Sequence, residues 1–155
     1  MLGIGLYDKK PNQSEEKKWF EGLTGEISSG NAFSYVAEAD GKLVGMCAVR
    51  RREPRADSRH VGLLGISIID GYRSRGIGRA LMERTIRSAS SRYGIIVLSV
   101  YSFNKHAIRL YRRLGFKKYG ILPGGLVRRN MAADDVFMYL ETATCRRHTR
   151  KRKDI

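Results

Sequence analysis

The segment that most limits how this chain can fold runs from Leu63 to Ile69. These seven residues are almost without a polar side chain, and Asp70-Gly71-Tyr72 joins them directly to a glycine-rich turn, Arg73-Ser74-Arg75-Gly76-Ile77-Gly78. A continuous apolar run of this length reads as a strand buried on both faces. After the turn, Leu81, Met82, Ile86 and Ala89 recur as the stripe of a helix, which Tyr93-Gly94 closes before a second apolar run from Ile95 to Tyr101. A strand, a crossover helix and a second strand bring the chain back to one sheet, so the two strands are expected to be parallel.

The flanks extend that unit. Ser14, followed by Glu15 and Glu16, starts a helix with Trp19, Phe20, Leu23 and Ile27 on one face, ending near Ser28 to Gly30. Phe33 to Ala39 and Lys42 to Arg50 are β-prone and meet at Asp40-Gly41, a strong hairpin signal, and Arg51 to Arg59 reads as a loop or a frayed strand end. Asn104 caps a helix whose Ala107, Leu110, Tyr111 and Leu114 share a face, and Gly115 ends it with Phe116 placed to pack back on Tyr111. Phe116 to Leu122 and Val136 to Leu140 are expected as final strands, separated by a Pro123-Gly124-Gly125 loop and Arg128-Arg129.

Composition narrows the function. A chain of 155 residues fits one domain, expected over residues 1–142, and its 42% hydrophobic content is a globular value. No apolar run approaches the roughly 18 residues of a membrane span, and the N-terminus carries no export pattern, so a soluble cytoplasmic protein is expected. Cys47 and Cys145 read as free thiols, and His60, His106 and His148 match no metal-ligand spacing, so no metal is expected. Thirty basic against 15 acidic residues give a net charge of +15, of which the tail 143–155 supplies +5 and the body +10. Such a surface favours polyanions, whether a phosphorylated cofactor, nucleic acid or the ribosome, and the tail reads as disordered.

The glycine turn is the candidate binding element. Between a buried strand and a helix it presents successive N–H groups and the positive end of a helix dipole, which suits a phosphate or pyrophosphate. Gly76 and Gly78 remove side chains that would obstruct the anion, while Arg73, Arg75 and Arg79 add charge. A plain tight turn explains the two glycines equally well when they are taken alone. A dinucleotide site needs an acidic residue about 20 positions further on, but no Asp or Glu occurs between Arg84 and Ala133. A triphosphatase loop needs Lys-Ser/Thr after its glycine, and here Gly78 is followed by Arg79-Ala80.

At this point the chain resembles a known family. Arg73-Ser74-Arg75-Gly76-Ile77-Gly78 resembles the Q/R-x-x-G-x-G/A motif of the GNAT superfamily of N-acetyltransferases, and Asn104, Ala107, Tyr111 and Gly115-Phe116 match its N…A-x-x-x-Y-x-x-x-G-F segment. The likeness extends over about residues 14 to 142 and looks closest to the RimI-like, ribosomal-protein-alanine and related N-terminal acetyltransferases. It implies an α+β fold: a mixed, mostly antiparallel twisted sheet of about six to seven strands, a central parallel pair splayed around the cofactor, and about three to four helices on its faces. It also implies acetyl-CoA as cosubstrate, its pyrophosphate held from Arg73 through the amides of Ser74, Arg75, Gly76, Ile77, Gly78 and Arg79. Ile66, Ser67 and Ile68 would bind the pantetheine arm and thioester carbonyl, where unpaired N–H groups can stabilise an oxyanion. Asn104 and Tyr111 would contact the cofactor, with Tyr111 the general acid that protonates the departing thiolate.

Two departures qualify the likeness. RimI-like enzymes carry a glutamate base five residues before the asparagine, where this chain has Ser99, and a neutral serine accepts no proton near pH 7. His60 is the candidate base by its ordinary pKa; Glu38, Asp134 and Asp135 are carboxylates that folding has to bring near, and an ordered water is a further alternative. The family also usually places a strand and a helix before the segment resembling Ser14 to Ser28. The dozen residues present leave a shortened strand at Leu2 to Tyr7, or none, as in a truncated gene product. The resulting expectation is direct acetyl transfer to a primary amine of a protein N-terminus or lysine, by a monomer or homodimer without membrane contact. The alternatives are a small-molecule amine or antibiotic acceptor, and a nucleic-acid or ribosome-binding protein on the same scaffold.

Overall fold

The computed structural model describes residues 22–128 and 131–144. They form one six-stranded sheet of β1 (Ala32–Ala39), β2 (Lys42–Arg51), β3 (Val61–Ile68), β4 (Ile95–Tyr101), β5 (Lys117–Arg128) and β6 (Met131–Glu141), in the spatial order β1-β2-β3-β4-β6-β5. Only β3 and β4 pair in parallel. Helix α1 covers 22–28 of the described residues, α2 is Ile77–Ala89, and α3 is Lys105–Arg113. The expected helix start at Ser14, a strand at Leu2 to Tyr7 and the tail from Cys145 onward lie outside the described residues.

Local signals place most of these elements. Asp40 and Gly41 take φ of 51° and 70°, the paired left-handed conformation that matches strand twist in a two-residue hairpin. Asn104 caps α3 by accepting the Ala107 N–H at 3.1 Å, and Gly115 at φ 93° turns the chain so that the Phe116 and Tyr111 rings pack with centroids 6.1 Å apart. Arg51 belongs to β2, and the remainder of the expected loop contains a single 3₁₀ turn, Ala56–Ser58.

The C-terminal hairpin corrects the sequence reading. Pro123-Gly124-Gly125 does not separate two strands; it lies inside β5, where the register with β6 shifts between Leu122 and Leu126. Proline lacks the N–H that a regular ladder needs, so the strand bulges there. Gly124, at φ 61°, donates its N–H to Asp134 Oδ1 at 3.1 Å.

Strand alternation divides the core. Cys47, Val49, Leu64, Ile96, Leu98, Val100, Val136 and Met138 form the main cluster with Leu81, Met82 and Ala89 of α2 and Ile108 and Tyr111 of α3. Residues of opposite parity face α1, where Ala32 and Ala48 meet Leu23. At the closed end of the β3–β4 seam, Tyr93 is fully buried and donates its hydroxyl to the Asn31 carbonyl. Thr142 donates its hydroxyl to the Tyr93 carbonyl at 2.8 Å, and the Thr144 hydroxyl reaches the Ser90 carbonyl.

Gly62 is the tightest point of that end. A Cβ there would stand 2.7 Å from Val49 Cγ1 and 2.9 Å from Tyr93 Cγ. Gly62→Ala is expected to cost ~1–3 kcal/mol by overpacking. Thermal melting checks this at about 2–4 °C of Tm per kcal/mol.

Candidate active site

The parallel seam is short. β3 pairs with β4 only at Val61↔Ile95, Gly62↔Ile96 and Leu63↔Val97, and beyond Leu63 the strands diverge. On its other edge β3 stays paired with β2 up to Ile68↔Gly45. The Arg52 N–H on the Val61 carbonyl and the Ile69 N–H on the Val44 carbonyl fix the alternation: odd-numbered β3 residues bond β2, and even-numbered ones turn toward β4. The backbone groups of Ile66 and Ile68 therefore face the split, whereas those of Ser67 belong to the ladder with Met46. Across the split, Ser99 and Tyr101 present their backbone, because β4 bonds β6 through its even-numbered residues, as the Ser102 N–H on the Asp134 carbonyl shows.

The split opens onto the glycine turn. Ser74 and Gly76 lie at φ 61° and 82°, so the chain between them folds into a tight concave run that ends as the N-cap of α2. A Cβ at Gly76 would meet nothing within 4 Å; glycine is needed there for its φ. Gly78 is different. It is buried, and a Cβ would come 3.0 Å from Ile68 Cδ1, with Leu110 and Ile66 close behind, so its missing side chain lets α2 pack on β3 and does not serve to clear an anion path.

The three arginines are engaged within the protein. Arg73 donates Nε to the Ile68 carbonyl at 3.2 Å and pairs Nη1 with Asp70 at 3.1 Å. Arg75 lies over the Tyr72 ring, 5.2 Å from its centroid, and Arg79 pairs with Glu83 at 2.8 Å. These contacts are exposed and weak, so the arginines are available to an incoming polyanion. The fixed part of the cradle is the backbone and the α2 dipole.

Helix α3 brings in Asn104 and Tyr111. Asn104 spends its carbonyl oxygen on the cap and keeps its amide N–H groups, on an exposed residue. Tyr111 is 7% exposed, on the α2 side of the sheet; burial pushes its pKa up to about 12, with the Cys47 thiol adding to the rise. Cys47 is itself a free, fully buried thiol that burial holds at about 12, an inert core group.

The carboxylates and His60 lie in different places. His60 is exposed at the closed end of the seam, where its carbonyl accepts the Gly94 and Ile95 N–H groups. Six residues of extended strand, about 20 Å, separate it from Ile66, so the structure does not bring it to the split. Glu38 lies on edge strand β1, with β2 and β3 between it and β4. Asp134 and Asp135 point to opposite faces of β6. Asp134 holds the β5 bulge, and Asp135, 8% exposed, shares a face with its cross-strand partner Tyr101 and with Ser99. Sequence reasoning could not rank these two, because only the register decides which enters the α1 side.

With a splayed parallel pair, a glycine turn at its mouth and α3 beside it, comparison with known proteins is decisive. A model of the acetyltransferase (GNAT) family matches residues 5–116. The chain belongs to the GNAT acetyltransferase family. An N-alpha-acetyltransferase of Sulfurisphaera tokodaii is 30% identical over 118 residues, 70% of this chain and 67% of that one. Among solved GNAT-fold structures, a ribosomal-protein-alanine N-acetyltransferase from Brucella melitensis superposes with a TM-score of 0.78 at 23% identity, over 88% of this chain and 82% of the other. A phosphinothricin acetyltransferase from Sinorhizobium meliloti, in complex with acetyl-CoA, gives 0.80 at 20% identity, over 91% and 77%. Other curated relatives are longer, and the chain spans 42% of the length of two mouse N-acetyltransferase family 8 members. Among the described residues of this GNAT domain no group of three His, Cys, Asp or Glu side chains is placed to hold a metal, and no helix is long and apolar enough to cross a membrane.

The turn gives a stability prediction. Gly76→Ala places an L-residue at φ 82° with no steric relief to be had, and is expected to cost ~1–2 kcal/mol through the backbone alone. Arg75→Ala, exposed in the same turn, should change stability by less than about 0.5 kcal/mol. Urea melts of the two variants beside the parent check the contrast.

Proposed function

We propose that this chain transfers an acetyl group from acetyl-CoA to a primary amine by direct attack in a ternary complex, with a protein or peptide N-terminus as acceptor. The observation that carries the proposal is the split between β3 and β4, which leaves the backbone of Ile66 and Ile68 without strand partners directly beside the concave turn from Arg73 to Arg79. The pyrophosphate would lie on the amides of Ser74 through Arg79, and the pantetheine arm would run along the split as a substitute strand. A thioester carbonyl against the free N–H groups of β3 would have its developing oxyanion stabilised by fixed dipoles.

Tyr111 supplies the proton side. With its pKa at about 12 the phenol stays protonated throughout the neutral range. An ordinary thiol ionises near 8.5, so complete transfer to a free thiolate is uphill. The phenol therefore acts on the sulfur while the carbon–sulfur bond is still breaking, as a hydrogen-bond donor that strengthens with the charge. The N-terminal acceptor is supported by the likeness to the Sulfurisphaera N-alpha-acetyltransferase and the Brucella enzyme. The +15 charge argues against polycationic acceptors, which it repels at long range.

Acetyl-CoA at 100 times its Kd should raise stability by ~2.7 kcal/mol, a shift that persists at moderate salt. No shift overturns the acetyl-transfer reading, and a salt-sensitive shift with RNA alone would instead support the nucleic-acid-binding reading. Tyr111→Phe should retain acetyl-CoA binding and lose roughly 10²-fold in kcat. Steady-state kinetics with N-terminal peptides measures this, and unchanged turnover removes Tyr111 from the chemistry.

A further inference from the structure

Asp135 is the one carboxylate on the α1 face of β6 that neighbours the β4 residues bordering the split. It pairs in register with Tyr101, and Ser99 is its diagonal neighbour on β4; Ser99 and Tyr101 are also the β4 residues whose backbone faces the gap. The residue is 8% exposed, and its Oδ1 is shut off from solvent without a hydrogen-bond partner. Among the described residues no ion pair includes it. A buried carboxylate oxygen left unpaired works against the fold, so its presence calls for another reason. Ser99, by contrast, is exposed, so solvent reaches the β4 position next to the carboxylate.

We propose that Asp135 is the general base of this acetyltransferase, taking over from β6 the role that a glutamate at the Ser99 position fills in RimI-like enzymes. The inference rests on the acetyl-transfer reading above. Ser99, too small to fill its place, leaves room for a carboxylate on the next strand and offers it a hydroxyl. Tyr111 lies on the opposite, α2 face of the sheet, so acid and base flank the split from two sides. The amine nitrogen approaches the thioester carbon from the α1 side. As the N–C bond forms, Asp135 takes a proton from nitrogen. The carbon–sulfur bond breaks with its electron pair going to sulfur, whose growing charge the Tyr111 hydroxyl stabilises by its hydrogen bond until the departing thiolate takes a proton from water. Asp135 returns its proton to water, so the net proton moves from nitrogen to sulfur.

The electrostatics agree with this role. Burial pushes the Asp135 pKa up from the ordinary aspartate value, with the Ser99 hydroxyl and the Val100 backbone opposing the rise. The other titratable side chains on this side of the sheet include Tyr101 on β4, Tyr139 and Glu141 on β6, Lys117 and Tyr119 on β5, Arg50 on β2 and Glu26 on α1. A carboxylate raised toward working pH is a better proton acceptor than an exposed one. The sign for stability follows. A folded-state pKa above the unfolded value favours the fold below the unfolded pKa, and that contribution is lost as pH rises through the folded pKa. Asp135→Asn should therefore melt higher than the parent at pH 7 and lose that advantage below about pH 4, near the ordinary aspartate value.

The test uses the full chain, acetyl-CoA and peptides with a free N-terminal α-amine, with kcat followed from pH 5 to 9. Asp135→Asn should keep the thermal shift with acetyl-CoA, lose at least tenfold in kcat and lose the acidic limb of the profile. Asp135→Glu should keep part of the rate. Asp135→Asn combined with Ser99→Glu should recover activity with a shifted limb, which a merely structural aspartate would not allow. An unchanged rate and profile in Asp135→Asn overturns the proposal. A second readout needs no acceptor: the Asp135 carboxyl carbon, followed by NMR in the CoA-saturated protein, should titrate above an exposed aspartate, and an ordinary titration overturns the assignment. If acetyl-CoA does not stabilise the parent protein, the acetyl-transfer reading itself fails, a result distinct from either.

Discussion

The structure depends on where a parallel pairing stops. Three residues of β3 meet three of β4, and past Leu63 and Val97 each strand keeps only its antiparallel partner. The sheet is therefore two three-stranded antiparallel halves, β1-β2-β3 and β4-β6-β5, joined by a short seam. On one face, helix α2 packs onto Ile66 and Ile68 at Gly78, and Leu110 of α3 reaches the same point. Backbone groups that a closed sheet would satisfy internally are left for a ligand with its own amides and carbonyls.

That arrangement explains why rigid and adaptable parts lie where they do. The closed end is fixed by Tyr93, Gly62 and Thr142, all packed or hydrogen-bonded across the seam. At the open end, the ion pairs of Arg73 and Arg79 are exposed, and water and salt weaken them. The fold thus invests its tight packing at one end of the seam and leaves fixed dipoles, with exchangeable side chains, at the other.

Much of this was legible in the sequence wherever the signal is local. Asp40-Gly41, the Asn104 cap, the Gly115 stop and the strand-turn-helix-strand unit each follow from a few adjacent residues. Non-local quantities were not legible. The apolar run could not show that the seam would end at Leu63, or that Ser67 would turn its backbone to β2 while Ile66 and Ile68 turned theirs to the split. Gly78 read as a residue that clears space for an anion, and the structure shows it clearing space for Ile68. Asp134 and Asp135 are chemically identical neighbours, and a one-residue step in register gives one to a β-bulge and the other to the α1 face.

The net charge acquires a different meaning once Asp135 is placed. A +15 surface repels a cationic amine at a distance, but at physiological salt that field is screened beyond about 8 Å. Inside that range Asp135, as the proposed base, would offer an arriving ammonium both a counter-charge and a proton acceptor. Attraction at the site and repulsion outside it would together favour an acceptor by its surroundings. An amine flanked by neutral or acidic groups passes the outer field, whereas one carried on a polycation meets it along its whole length.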